Sequence, residues 1–206
     1  MKKYKLSDRS YRESMKELEG LSGYQIEKDE AHEKVGHLQR KISLKLAMCA
    51  YYQGNMQQAV ERFQEIISCF KCYDQEDFRV QQTLMKCHFY CAKAILSIKE
   101  SHSHDGDPSY QKALMNLQYC CSDEIDPELH ELYSGNAFFE IAKVFLRQKD
   151  VLNAHDFIQR ATDNNYNSKR LSLYRDFAEG VVQLMKRKIK RGVQILTDLL
   201  EVLLNG

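Results

Sequence analysis

Four cysteines, Cys69, Cys72, Cys87 and Cys91, stand in the spacing C-x2-C-x14-C-x3-C. Four thiolates could complete the tetrahedron of a structural zinc site. Helical geometry opposes that reading. A helix is predicted to begin near Phe78, so Cys87 falls about nine residues inside it, roughly 13 Å from the turn near Cys72 at a rise of about 1.5 Å per residue. Cys87 and Cys91, at i and i+4, read better as core or helix-interface residues of low reactivity. His102, His104, Asp105 and Asp107 bring two imidazoles and two carboxylates into one short stretch, types that could ligate a transition metal. That stretch lacks apolar residues and reads instead as a solvated linker. The other histidines form no ligand motif, and neither a phosphate-cradling glycine loop nor a nucleophile elbow occurs. No metal, cofactor or catalytic residue is therefore expected, and the chain is not read as an enzyme.

Charge provides a different candidate. Lys186, Arg187, Lys188, Lys190 and Arg191 put five cations around one turn, where phosphate, anionic lipid or an acidic peptide could be held. The bland alternative is a solvated turn, since cations favour helix C-termini. RNA binding calls for aromatics interleaved with such charge, and this cluster has none, so an acidic protein ligand ranks above nucleic acid. The formal net charge of +1 also argues against a dedicated nucleic-acid or polybasic membrane binder. Charge is unevenly spread: residues 101–140 hold eight Asp or Glu against one Lys, and residues 141–206 hold twelve Lys or Arg against seven acids. A dipolar surface follows.

The elements that carry these residues are helical. Only two prolines and nine glycines interrupt the 206 residues. No apolar run approaches the roughly 20 residues of a membrane span, and the basic start leads into polar sequence rather than an apolar signal core. Seven cysteines, an odd number set mostly among apolar residues, suit reduced thiols better than a disulfide framework. A cytoplasmic protein with no membrane association is expected.

Ile42 to Ser68 contains two amphipathic stretches, marked by Leu46, Ala47 and Ala50 and then by Ala59, Phe63 and Ile66, separated by Gly54-Asn55. Small Ala47 and Ala59 allow two antiparallel backbones to approach closely. The same order returns at Phe138 to Ala161, with Ala142 and Ala154 about a turn near Lys149-Asp150, and at Phe177 to Leu200, with Gly180 and Gly192 in the small positions. Clear hairpins are thus expected at 42–69, 138–162 and 174–204. A divergent hairpin is expected at 78–121, with Phe78 to Lys99 as one helix and Pro108 to Cys121 as the next. Ser7 to Leu21 and Tyr24 to Arg40 read as degenerate N-terminal helices, and residues 1–206 as a single domain.

Small residues twelve apart about a hairpin turn, with a large apolar residue four further on, resemble the tetratricopeptide repeat. The pairs are Ala47/Ala59, Ala142/Ala154 and Gly180/Gly192, followed by Phe63, Ile158 and Leu196, and Tyr51 resembles the aromatic of the family's first helix. No Trp occurs, and no proline closes the repeats. Ala142 to Gly180 is 38 residues, where the family has 34.

The resemblance implies an all-α, right-handed superhelix of four to five hairpins, with a concave face lined by first helices. It further implies a non-enzymatic scaffold that binds a protein or peptide there, with Tyr52, Tyr90, Lys93, Lys143 and Arg147 as contacts. Two alternatives accompany it: a peptide-responsive regulator without its own DNA-binding domain, and a helical repeat holding RNA or an acidic ligand at residues 186–191. Leu199 to Leu204 end the chain on a nearly all-apolar turn. A second copy, a partner helix, the chain's own preceding helices or a continuation of the chain could cover it.

Overall fold

The turn between the first two long helices shows how the chain is built. The structure, a computed structural model, describes residues 10–17, 29–70, 77–100, 108–164 and 169–205. Residues 10–17 are helical (α1), and α2 (Asp29–Tyr52) is followed by α3 (Met56–Cys69). Gly54 takes a φ of 84°, its N–H donates to the Tyr51 carbonyl at 3.0 Å, and the Asn55 N–H donates to the Ala50 carbonyl at 2.9 Å. These bonds satisfy carbonyls that the ending helix leaves open. The chain then reverses, and α3 packs along α2.

Later in the chain come α4 (Phe78–Glu100), α5 (Pro108–Tyr119), α6 (Pro127–Arg147), α7 (Val151–Asp163), α8 (Lys169–Met185) and α9 (Ile189–Asn205). All the regular elements among the described residues are helices. The turn geometry recurs in two of the later hairpins. Lys149 (φ 61°) and Arg187 (φ 59°) occupy the place of Gly54. Lys149 N–H donates to Leu146 and Asp150 N–H to Phe145, and Arg187 and Lys188 repeat the pattern onto Leu184 and Gln183, all at 2.9–3.0 Å. In each case the left-handed residue lies seven positions after the first small residue and five before the second.

The chain divides into two compact units, Met1–Asn116 and Leu117–Gly206. In the first, α3 packs against both α2 and α4, and α2 also touches α4. Its core joins Leu46, Ala47 and Ala50 of α2, Ala59, Phe63 and Ile66 of α3, and Leu84, Met85 and Ala92 of α4. In the second unit α6 packs on α7, α7 on α8 and α8 on α9. There Ile141, Ala142, Ala154, Ile158, Ala178 and Val182 are buried. Asp126 caps α6 by accepting from the Glu128 N–H at 2.9 Å, ahead of Pro127 in the first turn. Asp150 caps α7, accepting from the Asn153 backbone at 3.2 Å.

One boundary differs from expectation. The break anticipated between Arg40 and Ile42 does not exist, and α2 runs unbroken from Asp29 to Tyr52. Nothing at Arg40-Lys41 disfavours helix, and the isolated Gly36 costs about 1 kcal/mol against alanine, too little to end a long helix held by packing. The loop at 101–107 between α4 and α5 lies outside the described residues.

Glycine pairs set the last hairpin's spacing. A Cβ built on Gly192 would lie 2.7 Å from Leu184 side-chain atoms and 2.9 Å from the Gly180 carbonyl oxygen; one on Gly180 would lie 2.7 Å from Leu196 Cγ. Gly192→Ala gains about 1 kcal/mol of helix propensity, but the overpacking cost of about 1–3 kcal/mol falls partly on backbone. The expected net is a loss of up to about 2 kcal/mol, read as a lower urea midpoint at unchanged slope. Arg187→Gly relieves a left-handed non-glycine residue and is expected to raise stability by about 0.5–1 kcal/mol, read as a higher urea midpoint.

Candidate functional site

Three tyrosines gather where α2 ends beside the middle of α4. Tyr51 and Tyr52 occupy the last turn of α2, and α3, folding back after Gly54, brings Phe63 beneath them. Tyr90 reaches this point from α4. Its ring stacks on Phe63 (centroids 6.4 Å apart, planes 22°) and meets Tyr51 edge-on at 5.3 Å and Tyr52 at 6.4 Å. The Tyr52 and Tyr90 hydroxyls are 3.5 Å apart, a long contact in which either can donate. Phe63 is fully buried whereas Tyr52 keeps 45% of its surface exposed. The cluster is therefore anchored in the core at one end and open at the other. The Tyr90 hydroxyl beside it, followed by burial, pushes the Tyr52 phenol up to about 12. At neutral pH it is a hydrogen-bond donor, not an anion.

Of the expected contacts, Tyr52 and Tyr90 are thus brought together. Lys93 lies one turn beyond Tyr90, its ammonium 5.4 Å from the centre of the Phe89 ring. Next to the cluster an open cleft of about 640 Å³ runs between the α2–α3 turn and the end of α4, lined by Gly54, Met56, Gln57, Glu61, Ser97 and Ile98. A second cleft, of about 400 Å³, is lined by Arg40, Ser43, Arg62, Glu65 and Cys69 among others.

Lys143 and Arg147 belong to the second unit. Lys143 Nζ is 2.6 Å from Glu140 and 5.4 Å from the Phe139 ring centre. Phe139 and Lys143 repeat the pairing of Phe89 and Lys93. The pattern behind it, Phe-x2-Ala-Lys at Phe89 to Lys93 and again at Phe139 to Lys143, is present in the sequence but escapes a search keyed to small residues about turns. Arg147 ends α6.

Lys186, Arg187, Lys188, Lys190 and Arg191 are all exposed about the α8–α9 turn. The neighbouring Glu179 accepts from Gln183 at 2.6 Å and lies 2.9 Å from His155 Nε2. The Gln183 bond is the main influence holding its carboxyl below the usual range; burial opposes it, and His155 and Arg191 add to the lowering. On α9, Ile189, Val193, Leu200, Val202, Leu203 and Leu204 are exposed, each by at least half of its surface.

The cysteine spacing resolves into different environments. Cys69 is exposed, whereas Cys87 and Cys91 are fully buried on α4. Cys72, His102 and His104 lie outside the described residues. No group of three His, Cys, Asp or Glu placed to hold a metal ion occurs among the described residues, and none of their helices is long and apolar enough to cross a membrane. Burial drives the Cys87 and Cys120 thiols far up and pushes Cys91 and Cys121 up to about 12. They are protonated at neutral pH and poor nucleophiles. Iodoacetamide at pH 8 is accordingly expected to alkylate Cys69 at least roughly 100-fold faster than Cys87, Cys91 or Cys120 in the native protein, a ranking read by peptide mass spectrometry. Comparable rates would contradict the burial of α4.

No protein-family model matches the chain, and neither a curated protein nor a solved structure matches it.

Proposed function

We propose that this chain is a non-enzymatic binding scaffold of the tetratricopeptide type, and that the face formed by α2 and α4 in the first unit takes a segment of another protein. The observation that carries the reading is the tyrosine cluster. Tyrosines half-anchored in a core and half-open to solvent present large, rigid contact area at small entropic cost, with a hydroxyl to orient the ligand. Tyr51, Tyr52 and Tyr90 project from two neighbouring first helices, the elements that line the binding face in such arrays. The left-handed turn shared by three hairpins, and the contact of α2 with α4 across α3, support a repeat organisation. The right-handed superhelix belongs to the same proposal, as does a cytoplasmic setting.

Mechanistically the scaffold holds its side chains on stiff helices, so that a ligand segment bears most of the ordering cost. The test is site-specific photocrosslinking in native lysate. A photoreactive phenylalanine analogue replacing Tyr52 is expected to join the scaffold to discrete protein partners. The same analogue replacing Gln64, exposed on α3, should not, and Tyr90→Ala should reduce crosslinking from position 52 several-fold. Equal crosslinking from both positions, indifferent to Tyr90→Ala, would refute the assignment of this face.

A further inference from the structure

The chemistry of the α2–α4 face says what kind of segment it takes, an inference that rests on the scaffold reading above. Residues 38–52 and 78–98 contain six Lys or Arg and no Asp or Glu. Side chains three, four or seven residues apart share a helix face. Lys86 and Lys93 therefore flank Tyr90 on α4, four positions before and three after it. Lys45 lies seven positions before Tyr52 on α2. By this spacing Lys45, Lys86 and Lys93 share helix faces with the tyrosines of the cluster.

The second unit provides an internal comparison. The Phe139–Lys143 pair of α6 carries Glu140, whose carboxylate binds Lys143 at 2.6 Å. In the matching pattern on α4 the residue after the phenylalanine is Tyr90. The pairing that neutralises Lys143 from within its own helix has no equivalent there, because a neutral phenol stands in place of the carboxylate. Glu61, in the adjoining cleft, accepts from Gln57 Nε2 at 3.0 Å.

We infer that the segment bound on this face is acidic, and that one of its carboxylates accepts from the Tyr52 and Tyr90 hydroxyls while Lys45, Lys86 and Lys93 hold its neighbours. The two phenol oxygens, 3.5 Å apart, suit donation to the two oxygens of one carboxylate, which replaces a long neutral contact by two charge-assisted bonds. The raised Tyr52 phenol stays protonated from pH 6 to 9, so binding persists over that range and weakens only as the ligand's carboxylates take up protons near pH 4. A single-stranded nucleic acid fits less well. It needs open ring faces for its bases, yet one face of Tyr90 is covered by Phe63, and Tyr51 and Tyr52 pack against the same ring in T-shaped contacts.

The test uses the full chain and fluorescence anisotropy at low salt, with three labelled probes: an octaglutamate peptide, an octaglutamine peptide and a ten-nucleotide oligouridylate. Octaglutamate is expected to bind and octaglutamine not. Tyr52→Phe with Tyr90→Phe, which keeps the rings and removes the donors, should weaken octaglutamate binding roughly tenfold. Lys86→Glu with Lys93→Glu should weaken it at least as much, and Arg170→Glu with Arg175→Glu, exposed on α8, should change it less than about twofold. Three results overturn the inference: equal binding of the two peptides, octaglutamate binding indifferent to the α2 and α4 substitutions, or oligouridylate binding more tightly than octaglutamate and lost with Lys86→Glu and Lys93→Glu. Crosslinking of a protein partner from position 52 without octaglutamate binding removes the acidic specificity alone. Loss of position-specific crosslinking removes the scaffold reading itself.

Discussion

Two helices joined by three residues can pack only if their backbones come close, and everything else in this protein follows from how that approach is arranged. Ala47 against Ala59, Ala142 against Ala154 and Gly180 against Gly192 leave space for it. A residue in the left-handed region, seven positions after the first member of each pair, turns the chain so that the second member arrives opposite. At Gly54 that conformation suits the residue; at Lys149 and Arg187 a side chain is carried into a region costing roughly 1–2 kcal/mol. Two carbonyls of the ending helix are satisfied in return. The shared geometry despite unlike residues shows that the packing of the hairpin selects the turn.

The hairpin that places α3 along α2 also places the α2–α4 face. Tyr52 lies two residues before Gly54, at the point where α2 must stop, and Phe63 is delivered beneath the cluster by the returning α3. The aromatic site is thus a by-product of the turn: its floor and one wall come from a single hairpin, and its other wall from α4. In the second unit the same framework carries Phe139, Glu140 and Lys143, with the lysine paired locally. One framework therefore presents a charged aromatic surface in one place and a locally neutralised one in another.

Much of the fold was legible because its signals are local. Small residues at fixed distances from a turn, Pro108 and Pro127 at helix starts, and the apolar stripe of Phe63 and Ile66 all act within a few residues of themselves. Pro108 and Pro127 stand at the starts of α5 and α6, and Phe63 and Ile66 are buried on α3. The stretches read separately as Tyr24 to Arg40 and from Ile42 onward join in one helix, because no residue between them disfavours helix. The candidate site was partly legible: Tyr52, Tyr90 and Lys93 could be placed on first helices by register. Their meeting could not, because the two hydroxyls are 38 residues apart in sequence and approach only through the lengthwise offset of α4 relative to α2. That offset is set by packing on α3 and leaves no mark on either helix alone. The contrast between Glu140 and Tyr90 was also present in the sequence, but it becomes informative only once Phe89 and Phe139 are seen to hold equivalent lysines.

The glycine contacts of the last hairpin carry a consequence for how this protein can change over time. Any side chain at position 180 must contend with Leu196, and any at position 192 with Leu184. Each glycine thus has a bulky neighbour on the opposite helix that fills the space its missing Cβ leaves. Drift at these sites is coupled: alanine or serine at 180 becomes tolerable with a smaller residue at 196, whereas at 192 a smaller residue at 184 relieves the side-chain contact but leaves the Gly180 carbonyl to give way. Related sequences should show these as covarying pairs across α8 and α9, whereas the exposed cations of the intervening turn are free to vary independently of either glycine.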